Sequence, residues 1–100
     1  MPYVIQEDRE KLDHWIDNVL FHTSSISETS KDGVINYIIT RIIDGHYGKG
    51  GYAVFNSAMG VLDCVAKEFY RRKVVPYEEL KKAQNGEVYN IPISTVRPAI

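Results

Sequence analysis

From Tyr52 to about Lys73, apolar residues return at helical intervals: Phe55, Met59, Leu62, Val65, Ala66 and Phe69 form one continuous stripe. A strand alternates its side chains with a period of two, so this spacing predicts a central helix, and the rest of the chain has to supply its cover. Beside the stripe runs a seam of short side chains, Ala53, Ser57, Gly60 and Cys64. Glycine in a helix interior costs about 1 kcal/mol relative to alanine, so Gly60 points to close approach by another helix. That helix belongs to the same chain or to a second copy, with the same chain favoured.

Two further helices are expected before it. Between about Glu7 and Phe21, Leu12, Trp15, Ile16, Val19 and Leu20 share one face, with acids and His14 elsewhere. Arg9 projects into that apolar arc at about 100° per residue and is expected to snorkel off the helix end, a carboxylate partner being the alternative. Thr23 to Ser30 is rich in Ser and Thr without periodicity and reads as a loop. Asp32 is then placed as the N-cap of a second helix carrying Ile35, Ile38, Ile39, Ile42 and Ile43. These β-branched residues would suit a strand on propensity, but their spacing and the length of the segment favour a helix.

His46-Tyr47-Gly48-Lys49-Gly50-Gly51 ends that helix in a turn. It lacks the spacing and the strand-to-helix setting of a phosphate loop. Pro76 either closes the central helix or opens the next at its first turn, and Tyr77 to Gln84 reads as a short polar helix stopped by Asn85-Gly86. Glu87 to Ile100, with alternating Val88, Ile91, Ile93 and Val96 and two prolines, reads as an extended arm that needs a surface to lie on. The expected fold is therefore all-α: a single domain over residues 1–100, a small bundle of three main helices plus a short fourth, and a C-terminal arm over 87–100.

One hundred residues suffice for one core. A formal charge of −1 argues against general nucleic-acid binding, although Lys67 to Lys73 gathers four basic residues and Glu7 to Asp17 is acid-rich. The one cysteine, Cys64, has no partner for an internal disulfide and sits in an apolar helical pattern, where a buried and inert thiol is expected. No signal peptide and no membrane-spanning run is visible, so a reducing cytoplasm is the expected compartment.

The chemistry on offer is that of binding. His14, His22 and His46 are dispersed on different elements without metal-ligand spacing, and Asp63 and Glu68 diverge around their helix too far to share a magnesium ion. Enzyme activity, metals and cofactors are not expected. Against this, Arg41, Arg71 and Arg72 offer planar donors for an anion, Tyr37, Tyr70 and Tyr77 offer flat faces, and Asn36, Thr40 and Asn56 offer polar edges. Each has an ordinary alternative: Glu68, Arg71 and Arg72 as a solvated charge cluster near a helix C-terminus, Asn36 and Thr40 as a polar face or a register-fixing hydrogen-bond network.

The ordered series Gln6-Glu7-Asp8-Arg9, Asn36-Tyr37 with Ile39-Thr40-Arg41, Phe55-Asn56 with Gly60-Val61-Leu62, Glu68-Phe69-Tyr70-Arg71-Arg72, Pro76-Tyr77-Glu78 and Asn85-Gly86-Glu87-Val88-Tyr89 resembles a small uncharacterised family found in phage and prokaryotic genomes. The resemblance spans roughly Met1 to Tyr89 and implies a genomic setting without an activity. With the residues above, it leads to the expectation of a non-catalytic, phage-type protein that acts as a homo-oligomer in the host cytoplasm. There it would sequester a small anionic ligand of the nucleotide kind, a host immune signal being one candidate. The alternative is a protein-interaction adaptor of phage or prophage origin that takes no small-molecule ligand.

Overall fold

The computed structural model describes residues 4–90, and those residues form helices joined by two short turns. Helix α1 runs Gln6–Thr23, with Glu7 and Asp8 in its first turn where the positive end of the helix dipole favours acids. Arg9 folds back over that end and donates to the Val4 carbonyl at 2.6 Å. The hydroxyl-rich stretch after Phe21 has a structural use. Thr23 Oγ1 donates to the Val19 carbonyl at 2.8 Å, and Ser24 Oγ donates to that of Phe21 at 2.7 Å, so the last carbonyls of α1 find partners.

Helix α2 is Glu28–Tyr47, starting four residues before the expected cap at Asp32. Its N-cap is Ser27, whose Oγ accepts from the Thr29 backbone N–H at 3.3 Å and contacts the Thr29 hydroxyl at 2.8 Å. The expected loop over Thr23 to Ser30 thus shrinks to residues 24–27, because Ser and Thr cap helices as readily as they populate loops. The isoleucine-rich segment is helical throughout, as its spacing requires. Glycines then turn the chain, with Gly50 and Gly51 at φ 119° and 85°, a region costly for any residue with a Cβ.

Helix α3, Tyr52–Phe69, continues without interruption into a π-helical turn, Tyr70–Val74, and then into α4, Val75–Asn85. The widened turn is explained by Pro76. Proline has no N–H to offer and its ring crowds the preceding turn, and here the Val75 N–H reaches back five residues to the Tyr70 carbonyl. Pro76 sits in the first turn of α4, where a missing donor is tolerated. Gly86, at φ 92°, ends α4, and its N–H donates to the Lys82 carbonyl at 2.8 Å. The fold is all-α, with three main helices and a short fourth. Val88 to Asn90 are not helical, and the arm from Ile91 onward lies outside the described residues.

Contacts divide the chain into two compact units at Val65/Ala66. In the first, Ala58 of α3 is the one buried side chain among the described residues, with Ile43, Tyr47 and Leu62 half-buried around the same hollow and Ile38 and Val54 half-buried elsewhere in the unit. In the second, Val74 and Val75 are half-buried at the π-helical turn. The α1 ridge is exposed along its length, Trp15 at 70% and Leu20 at 61%, and Met59 of the α3 stripe stands 64% exposed. Cys64, expected to be buried, is exposed, and a Cβ built on Gly60 would meet nothing within 4 Å. The small-residue seam has no close neighbour within this chain among the described residues. A periodic pattern reports which face wants cover and not what covers it.

Candidate functional site

The α2 and α3 faces that approach each other leave an open groove of about 640 Å³. Its α2 wall carries Asn36, Ile39, Thr40, Ile43, Asp44 and Tyr47, and its α3 wall carries Phe55, Ala58, Met59 and Leu62. The α3 wall is the apolar stripe itself. The α2 wall is mixed because residues three, four and seven apart from Asn36 alternate polar and apolar along that face. Within it the Thr40 hydroxyl donates to Asn36 Oδ1 at 3.4 Å, across one turn. The groove is mostly apolar, with an amide, the hydroxyls of Thr40 and Tyr47 and one carboxylate, Asp44, on one wall.

A second hollow, of about 590 Å³, lies in the C-terminal unit between Tyr77 and Tyr89. Lys81 stands 5.6 Å from the centre of the Tyr77 ring, and Lys82 pairs with Glu79 at 3.1 Å and Glu87 at 3.8 Å. Glu87 also accepts from the Tyr89 backbone N–H at 2.8 Å, fixing the chain as it leaves α4. The hydrogen bond to Glu79 and then its charge raise the Lys82 ammonium above its ordinary 10.5; desolvation opposes them, and the charge of Glu87 adds the least. With Glu78, Glu79 and Glu87 beside Lys81 and Lys82, this hollow is left with one excess negative charge.

The nine side chains expected to bind a ligand fall into separate groups. Asn36 and Thr40 line the α2–α3 groove, and Tyr77 lines the C-terminal hollow. Tyr37 and Arg41 lie one residue further round α2 and line neither; Arg41 donates to the Tyr37 hydroxyl at 2.8 Å and lies over its ring. Asn56 is likewise turned about 100° from Phe55 and lines neither. Tyr70 reaches Glu78 at 3.4 Å, and Arg71 donates to Glu68 at 2.6 Å. Arg72 makes no ion pair or hydrogen bond among the described residues. The groove residues that sequence reasoning left out of a site, Ile39, Phe55, Met59 and Leu62, carried a signal all the same: helical spacing that was assigned to a core.

Among the described residues no group of three His, Cys, Asp or Glu gathers into a set able to hold a metal ion, and no helix is long and apolar enough to cross a membrane. The described residues are thus all-α, and their main helices present open apolar faces. The chain belongs to a domain family of unknown function, DUF6899, whose model matches residues 1–88. No curated protein and no solved structure matches the chain.

Proposed function

We propose that this protein is a non-catalytic interaction protein, an adaptor that engages another polypeptide through its exposed helix faces. The observation that carries this reading is the exposure of large apolar side chains on all three main helices, with Ala58 the single buried residue among the described residues. Large contiguous apolar surface is rare on proteins that work alone and marks protein contacts. The groove supports the same reading, since an apolar channel between helices with a few polar groups is the usual receptor for an amphipathic helix. A phage or prophage origin is part of the proposal and rests on the ordered sequence series described above.

The second reading is sequestration of a small nucleotide. The stacked Tyr37–Arg41 pair favours it, because the same face and guanidinium suit a base and a phosphate. Two features weigh the other way: two of the three expected arginine donors, Arg41 and Arg71, already hold side-chain partners, and Asp44 places a carboxylate in the groove. Native mass spectra of the purified chain, alone and with linear and cyclic nucleotides, separate the readings. The adaptor reading expects no nucleotide retained throughout. Retention of one nucleotide class at stoichiometric occupancy, lost in Arg41→Ala, overturns it in favour of sequestration.

A further inference from the structure

We infer that helix α1 folds on binding: in the free monomer it is largely unfolded, and it becomes helical when a partner covers its apolar ridge. This deepens the adaptor reading and rests on it for what α1 does once folded. It concerns the state of α1 itself and holds whichever surface supplies the cover. Among the described residues, every side chain from Gln6 to His22 is exposed, and even Val19, the best covered of the ridge, stands 42% exposed. Neither α2 nor α3 packs closely along α1. α2 and α3, by contrast, meet around Ala58, where Ile43, Tyr47 and Leu62 are half-buried. Fixing a residue in a helix costs conformational entropy, which proteins offset chiefly by burying an amphipathic face. The α1 ridge gains none of that offset among the described residues.

Short-range support for α1 is thin as well. Its N-cap is Ile5, whose side chain accepts no hydrogen bond from the free N–H groups of the first turn. Its interior has no alanine and carries Asp13, Ile16, Asp17, Asn18 and Val19, all poorer helix formers. The polar contacts of its side chains are local and exposed: Arg9 to Val4, Lys11 to Glu7 at 4.0 Å, His14 to Asn18 at 3.4 Å and Thr23 to Val19. Exposed pairs at this spacing each contribute little, and together they do not hold a helix that nothing else covers. The apolar ridge nevertheless has the spacing of a helix that docks by one face. An element that orders only against its target loses part of the contact free energy to ordering. In return it binds reversibly, and only where the target presents a matching apolar surface.

Amide hydrogen exchange of the full chain, read residue by residue by NMR, tests this at a concentration where sedimentation velocity shows the monomer. The comparison is between Leu12 to Leu20 of α1 and Phe55 to Leu62 of α3, the segment that holds Ala58. The α1 amides are expected to exchange within about tenfold of the rates of an unstructured peptide, and the α3 amides at least tenfold more slowly than those of α1. Equal protection of the two segments, whether high or low, overturns the inference. If the wild type stays associated at the lowest workable concentration, the comparison passes to Trp15→Asp, which places a charge on the ridge. Trp15 is 70% exposed in this chain, so the substitution frees α1 from an outside cover without removing an internal contact. Protection of α1 equal to that of α3 in this variant overturns the inference in the same way. Circular dichroism adds an independent readout. At about 100° per residue Asp17 and Asn18 lie on the side of α1 away from the ridge, and Asp17→Ala with Asn18→Ala should raise the helical fraction of α1 in the monomer severalfold. No gain in ellipticity would mean that α1 is already formed, and would overturn the inference. A protected α1 in the monomer leaves an adaptor with a preformed helix face standing. Nucleotide retention in native mass spectra removes the adaptor reading without altering the exchange result.

Discussion

The Arg41 guanidinium donates to the Tyr37 hydroxyl at 2.8 Å and lies 5.7 Å from the centre of the same ring, one helical turn away. Two side chains that sequence alone offered as separate ligand contacts therefore hold each other on the exposed surface of α2. Tyr37→Phe removes the acceptor and keeps the ring. The expected loss of stability is below about 0.5 kcal/mol, as for other exposed pairs at this spacing, read from urea midpoints at constant m-value. A loss several times larger would show that the pair is enclosed by another chain or ligand in solution.

The glycines divide into two kinds, and alanine tells them apart. At Gly50, with φ 119°, a Cβ would stand 2.6 Å from Val54 Cγ2, so Gly50→Ala is expected to cost about 1–2 kcal/mol or more. At Gly60 a Cβ meets nothing within 4 Å in this chain, so Gly60→Ala is expected to gain about 1 kcal/mol from helix propensity. Thermal melts of both variants check the contrast. A destabilised Gly60→Ala would place another backbone against the small-residue seam.

Ser27, not Asp32, caps α2, and the two positions separate cleanly on mutation. Ser27→Ala removes the oxygen that accepts from the Thr29 N–H and should cost about 1 kcal/mol. Asp32→Ala, inside the helix and exposed, should stay within about 0.5 kcal/mol of the wild type. Equal losses at both positions in urea unfolding would put the start of the helix back at Asp32.

Lys82 gives the chain one titration with a definite sign. Its pairing with Glu79 and Glu87 raises its folded pKa above 10.5, so its contribution is fully present below that value and is lost as pH rises through the folded pKa. The helicity advantage of the wild type over Lys82→Gln should be constant near neutral pH and vanish on the alkaline side of 10.5. Circular dichroism of both proteins across that range reads it. An advantage that already fades well below 10.5 would contradict the pairing.

Much of the fold was legible before any coordinates. The stripe from Phe55 to Phe69, the glycine turn after Tyr47 and the Asn85-Gly86 stop each follow from local rules, and each stands where the spacing put it. The start of α2 was misplaced because Ser and Thr favour caps and loops for the same reason, a side-chain oxygen that competes for backbone hydrogens. Of the candidate site, Asn36 and Thr40 reach the groove because their spacing of four puts them on one face. Arg41 and Asn56 miss it by one residue of rotation, a distinction that needs the direction of the neighbouring helix.

The sequence by itself determined the helices, because capping, glycine conformation and periodicity act over one or two turns. It also determined that those helices carry faces too apolar for water. Only the tertiary structure decided that the described residues leave those faces open, with Trp15, Met59 and Cys64 exposed and Ala58 alone buried among them. The physical reason is that the hydrophobic effect has no direction: it demands that a face be covered, and geometry alone selects the cover.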